Sequence, residues 1–362
     1  MTLFASRIAA VGQLADFSDI LDVRSPLEYA ADHIPGALSA PVLDDEQRAI
    51  IGTMHRQVSA FDARRVGAAL VARNIARIVE TTAAGKPRDW APLVYCWRGG
   101  QRSRSLTLVL SEIGFRAKQL DGGYRAYRQH VAAELLELPT RFRYTVICGL
   151  TGSGKSRLLE ALAAADAQVL DLEGLANHRG SLLGDRPRAP QPTQKHFETQ
   201  LHATLAGFDA TKTVFVESES QRIGTLQVPP ALLEAMRCAP CLHVETPLAL
   251  RVALLIEDYA HWCADTEALH TRLLPLAPLH GRKTIEHWQT LAEAGDFPTL
   301  VADLLQQHYD PAYRRSIARN YPRAGDMPTV AVNGIDPTSL LAIARKLIAT
   351  PAPATPAATA QE

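Results

Sequence analysis

Two glycine-bearing turns, at 96–102 and 149–156, hold the residue types best suited to chemistry. In the first, Cys96 is followed by Trp97, Arg98, Gly99 and Gly100, with Arg102 one residue further on. It stands where an apolar stretch, PLVY at 92–95, gives way to a loop and then to a helical pattern at about 103–113. A thiol in that position faces loop N–H groups and the positive end of a helix, both of which favour the thiolate. Arg98, Arg102 and Arg104 add positive charge, so the loop suits a nucleophile that carries a chalcogen atom and draws an anionic donor such as a phosphate ester. A lone cysteine is more often a small buried hydrophobe; the adjoining Arg-Gly-Gly-x-Arg favours the reactive reading.

In the second turn, Gly149, Gly154, Lys155 and Ser156 satisfy G-x4-G-K-S, with Gly152 and Ser153 inside it. The turn lies between an apolar run at 144–148 and a helical pattern, RLLEALAAA. That is the phosphate-binding loop pattern: backbone N–H groups curl around a di- or triphosphate, the lysine reaches the terminal phosphates, and the serine hydroxyl suits Mg²⁺. The pattern calls for no resident metal and leaves Mg²⁺ optional beside the phosphates. The loop reads a polyphosphate and not what hangs from it. Glu217 closes the apolar run TVFVE, where its carboxylate could serve a metal ion or a water, or equally be solvated at a strand end.

Other signals are weaker. Cys238 and Cys241 form a single CxxC without a second pair, and read as structural. Cys148 falls in a strand and is expected to be buried and inert. His178 and Arg179 sit in a glycine-flanked loop, where phosphate contact and loop hydrogen bonding are equal readings. Residues 313–323, YRRSIARNYPR, hold Arg314, Arg315, Arg319 and Arg323, two tyrosines and no acid. Basic residues interleaved with aromatics suit an RNA backbone with an unstacked base; a solvated amphipathic helix is the plain alternative. Arg125, Arg128, Arg141 and Arg143 could extend a positive track.

Positioning these residues takes two α/β units. With roughly 150 residues per domain, 362 residues suggest two. Pro139 and the polar TRFR mark a boundary, giving domains at 1–138 and 139–349, with a Pro/Ala-rich tail at 350–362 that reads as disordered. Strands and helices alternate in both halves, with a helical pattern over 45–80 and long helical stretches over 247–320. Hydrophobic residues at 47% and charged ones at 21% exclude whole-chain disorder. Lys+Arg and Asp+Glu both total 38, which excludes bulk polyelectrolyte attraction and leaves nucleic acid to a local patch. No apolar run approaches the ~20 residues of a membrane span, and the opening residues lack a signal-peptide pattern. Five cysteines argue against a disulfide framework. A cytoplasmic protein is expected, and nothing demands more than a monomer.

DVRSP at 22–26, HIPGA at 33–37, the 96–102 loop and DGGYRAY at 121–127 resemble a rhodanese domain, which carries sulfur or selenium on its loop cysteine. A rhodanese-like domain followed by a P-loop NTPase-like parallel-sheet domain, with the loop CWRGGQRS, NHRGSLLG at 177–184 and ESESQRI at 217–223, is similar to bacterial tRNA 2-selenouridine synthase over about residues 5–345. That resemblance implies conversion of wobble 2-thiouridine in tRNA to 2-selenouridine. A geranyl group from geranyl diphosphate first alkylates the sulfur, and selenium from selenophosphate then replaces the S-geranyl group. The expected partners are tRNA, geranyl diphosphate and selenophosphate, with no tightly bound cofactor. The rival readings are a small-molecule kinase fused to a rhodanese sulfurtransferase, and a non-enzymatic tRNA- or nucleotide-binding regulator.

Overall fold

The computed structural model describes residues 7–186, 189–321 and 328–350; Arg323 and the tail from 351 lie outside them. It divides into two compact units, residues 1–135 with 192–203, and residues 136–191 with 204–362.

The first unit has five parallel strands, β1 (Ile8–Ala9), β2 (Asp19–Asp22), β3 (Leu38–Ser39), β4 (Pro92–Tyr95) and β5 (Lys118–Leu120), in the order β1-β5-β4-β2-β3. Its helices are α1 (Pro26–Ala31), α2 (Asp45–Gln57), α3 (Ala60–Thr81), α4 (Gln101–Ile113) and α5 (Gly123–Glu134). All four residues of β4 are buried, as befits a central parallel strand covered on both faces. Leu106 and Leu110, one turn apart on α4, are fully buried in the same core as Val94, a contribution of about 1.5–3 kcal/mol each. The helical pattern over 45–80 forms the two helices α2 and α3. The break falls at 58–59, where the Ser59 hydroxyl accepts from the Asp62 N–H at 3.2 Å and starts a new helix.

Helix α6 (Lys155–Ala164) and α7 (Leu172–Ala176) follow in the second unit. Helix α8 (Gln194–Ala206), expected from chain order in the second half, begins with residues that group with the first unit. Thr193 donates to the Ala31 carbonyl at 2.5 Å, and Thr199 to Asp32 at 3.0 Å. The second sheet is again parallel: β6 (Arg143–Cys148), β7 (Gln168–Leu170), β8 (Thr213–Glu217), β11 (Cys241–Glu245) and β12 (Thr329–Ala331) run in the order β12-β11-β6-β8-β7. A small hairpin of β9 (Arg222–Ile223) and β10 (Leu226–Gln227) precedes α9 (Pro230–Cys238).

The stretch 247–320 divides into α10 (Leu248–Asp258), α11 (Ala260–Ala264), α12 (Thr266–Leu273), α13 (Ala277–His280), α14 (Arg282–Glu293), α15 (Phe297–Leu304) and α16 (Asp310–Asn320). Asp265 and Asp296 cap α12 and α15 through their carboxylates, and Gly281 precedes α14. Helix α17 (Pro337–Ala349) closes the unit against α6. Both glycine turns leave the carboxyl end of a central strand, β4 and β6, where open parallel sheets bind ligands. Among the described residues no helix is long and apolar enough to cross a membrane.

Candidate active site

Cys96 is buried at the end of β4, and two donors converge on its sulfur: the Gly100 N–H and the Ser103 hydroxyl, each at 3.2 Å. Gln119 of β5 supports them. Its amide donates to Ser103 Oγ at 2.9 Å and to the Gly99 carbonyl at 2.5 Å. Gly99 turns at φ +64°, and Gly123 lies so close that a Cβ would meet the Cys96 carbonyl oxygen at 2.3 Å. The Tyr124 and Arg125 N–H groups hold the Cys96 and Trp97 carbonyls at 2.8 and 3.0 Å. Trp97 faces the Tyr124 ring, and Lys195 stands over its indole.

The arginines do not all serve the sulfur. Arg98 and Arg104 are exposed, whereas Arg102 pairs with Glu28 of α1 at 2.7 Å. Burial works to raise the Glu28 carboxyl, but the Arg102 hydrogen bond and charge hold it below the ordinary range. The same Glu28 oxygen accepts the Ser25 N–H at 3.0 Å, as in a helix-start capping box. Arg24, from DVRSP, is fully buried: it grips Asp22 through Nε and Nη2 and the Asp32 carbonyl at 2.6 Å, while Tyr95 donates to Asp22 at 2.7 Å. The motif arginine is therefore a strut beneath the loop. Arg128 is partly buried and paired with Glu198, so it is not open to a phosphate backbone, whereas exposed Arg143 donates to the Thr211 carbonyl.

In the second unit Gly152 and Gly154 both take positive φ, and the N–H groups of the 149–156 loop precede α6 as the pattern requires. Lys155 Nζ folds onto the Gly149 carbonyl at 2.7 Å. Ser153 is buried, and its hydroxyl has no partner among the described residues. Residues distant in sequence fix the loop. Arg251 of α10 donates to the Thr151 carbonyl at 2.9 Å and pairs with Asp310, and Thr246 donates to the Ser153 carbonyl at 2.8 Å.

Beside the loop, Glu217 is fully buried, which removes the solvated strand-end reading. It lies in register with Ile147 of β6, and one oxygen accepts the Glu173 N–H at 3.0 Å while the other has no partner. Glu173 and Glu219 bring carboxylate oxygens within 4.8 Å of it, and Ser156 donates to Glu173 at 3.3 Å. Burial, reinforced by the neighbouring carboxylates, pushes Glu217 well above the ordinary range and Glu219 up to about 8. Burial likewise raises Glu173, against the pull of Lys155. Glu173 and Glu219 were not visible as site residues, because only the fold brings them to Glu217. A second group, His130, Glu134 and His202 in the first unit, also lies within 4.8 Å.

Helix α16 separates its two residue types. Arg314, Arg315 and Arg319 are exposed, but the tyrosines are not open stacking platforms. Tyr313 Oη accepts from the Gly149 N–H at 2.7 Å and bonds Ser218 at 2.8 Å, and buried Tyr321 donates to the Glu219 carbonyl at 3.3 Å. Both line the phosphate pocket. Of the loop pair, His178 has a structural role, accepting the Gly180 N–H at 3.0 Å and facing Asp185 at 3.3 Å, whereas Arg179 lines the pocket. Cys238 is exposed and Cys241 buried in β11 beside buried Cys148, so the CxxC spacing does not form a joint site.

Fold and turns together define a rhodanese-like domain followed by a P-loop domain. Residues 7–130 match the rhodanese-like domain family, and residues 142–272 match the tRNA 2-selenouridine synthase AAA domain. A tRNA 2-selenouridine synthase of Sulfurovum sp. (strain NBC37-1) is 33% identical over 338 residues, covering 84% of this chain and 90% of that protein. One from Chromohalobacter salexigens is 31% identical over 352 residues, covering 90% and 93%, and one from Salmonella typhi is 33% identical over 337 residues, covering 84% and 90%. The chain belongs to the tRNA 2-selenouridine synthase family.

Proposed function

We propose that this chain is a transferase converting wobble 2-thiouridine in tRNA to 2-selenouridine in two steps. In the first, the thiocarbonyl sulfur attacks C1 of geranyl diphosphate. The S–C1 bond forms, the C1–O bond breaks, diphosphate leaves with the electron pair, and the base gives up its N3 proton. The 149–156 loop suits that leaving group: its N–H groups, Lys155 and the α6 N-terminus oppose the charge that develops as diphosphate departs. Ser156 with Glu173, Glu217 and Glu219 would hold Mg²⁺, which supplies further charge neutralisation at the diphosphate; the unpartnered, buried Glu217 oxygen fits such an ion. In the second step the selenium of selenophosphate, positioned at the Cys96 loop, attacks C2: the C2–Se bond forms, the C2–S bond breaks, geranylthiol leaves with a proton, and water breaks the Se–P bond to release phosphate while N3 regains its proton. The observation that carries this reading is the pairing, on one chain, of a polyphosphate cradle with a thiol held by two hydrogen-bond donors. Exposed Arg314, Arg315 and Arg319 supply tRNA backbone contacts.

Purified protein tests the division of labour. Lys155→Ala abolishes S-geranylation of 2-thiouridine tRNA yet still selenates tRNA geranylated beforehand. Equal loss of both steps contradicts it, and transfer of phosphate from ATP to a small acceptor would favour the kinase reading instead.

A further inference from the structure

The phosphate pocket does not end in polar residues. Thr151, Ser181, Leu255, Tyr259 and Tyr309 line it on one side and line a second, almost wholly apolar space on the other. Beyond that shared rim the walls are Leu183, Trp262, Phe297, Val301 and Leu304, supplied by α11, α15 and the 177–184 loop. Of the side chains that line the two spaces, the cations Lys155, Arg157, Arg179 and Arg186 all line the phosphate side, and the Arg179 guanidinium covers the Tyr259 ring at 4.9 Å. Trp262 turns its one polar atom away, donating to the Leu183 carbonyl at 3.1 Å. Phe297 and Val301 are only partly buried by protein, although both are apolar. An anion cradle that opens directly into such a space is shaped for a ligand with a charged head and a hydrocarbon tail.

We propose that this space takes the tail of a prenyl diphosphate whose head occupies the 149–156 loop, and that Phe297 and Val301 set the tail length. The inference rests on the diphosphate reading of the loop and adds to it the residues that select the donor. It puts the C1–O bond at the rim shared by the two spaces, between Thr151 and Tyr259, with the charge on one side and the carbon chain on the other.

Calorimetric titration of the full chain with inorganic diphosphate and with dimethylallyl, geranyl and farnesyl diphosphates tests it. Geranyl diphosphate binds roughly tenfold or more tighter than inorganic or dimethylallyl diphosphate, because more apolar surface leaves water. Val301→Phe fills the space and removes that preference while leaving inorganic diphosphate affinity unchanged, which also reports that the variant is folded. Phe297→Ala lengthens the space and shifts the preference from geranyl towards farnesyl. Geranyl binding no tighter than inorganic diphosphate, or an unchanged chain-length order in both variants, overturns the tail site alone. Failure of inorganic diphosphate to bind wild-type protein overturns the loop reading beneath it.

Discussion

The carboxylate group beside the phosphate loop makes stability depend on pH in a defined direction. Glu219 sits near 8 in the folded protein against an ordinary 4.5, raised by burial and by Glu173. In the unfolded chain it is already ionised above 4.5, so between pH 4.5 and about 8 the folded state holds the extra proton. Stability from this group is therefore full at low pH and is lost as pH rises through that window. At about 1.4 kcal/mol per unit the ceiling is roughly 5 kcal/mol; Glu219 is partly exposed, and solvent screening leaves about 2 kcal/mol. Urea denaturation in chelator at pH 6 and pH 8.5 measures the loss, which Glu219→Gln lowers by the Glu219 share while Glu217 and Glu173 keep theirs. Mg²⁺ should restore stability at pH 8.5 in wild type, since the ion takes the place of the protons. A pH slope identical in wild type and Glu219→Gln would show that Glu219 does not hold the extra proton.

Three other perturbations follow from named contacts. Ser103→Ala removes one of the two donors on Cys96 and should slow selenation by roughly ten- to a hundredfold, about 1.5–3 kcal/mol, with geranylation unchanged in a single-turnover assay; equal slowing of both steps would contradict it. Asp22→Asn leaves the buried Arg24 guanidinium short of its counter-charge and should cost about 3–5 kcal/mol in denaturant titration, and a loss below about 1 kcal/mol would show that Arg24 is not a strut. Replacing Arg314 and Arg315 together by Ala should weaken tRNA binding and lower its salt slope by about 0.7–0.9 per lost phosphate contact, whereas an unchanged slope makes that face of α16 a bystander.

Both glycine turns were legible because their code is local: a buried strand, glycines at positive φ, and a charge or hydroxyl at fixed offset before a helix. The parallel α/β character was legible for the same reason, from alternating apolar runs and helical periods. What supports the turns was not legible, since it arrives from far along the chain. Gln119 lies 16 residues from Ser103, Arg251 lies 100 from Thr151, and Tyr313 lies 164 from Gly149. Charge counting misled where a partner was hidden: Arg102 beside Cys96 answers Glu28, 74 residues earlier. On α16 composition gave the residue types, but only the fold separates arginines facing solvent from tyrosines facing the phosphate pocket.

In the proposed reaction Cys96 serves selenium transfer while the 149–156 loop serves prenylation. Mass spectrometry of tRNA nucleosides from cells whose only copy of this protein is Cys96→Ser tests it most directly. S-geranyl-2-thiouridine should accumulate with 2-selenouridine lost; 2-selenouridine at the wild-type level, or loss of both nucleosides, would rule out that division of roles.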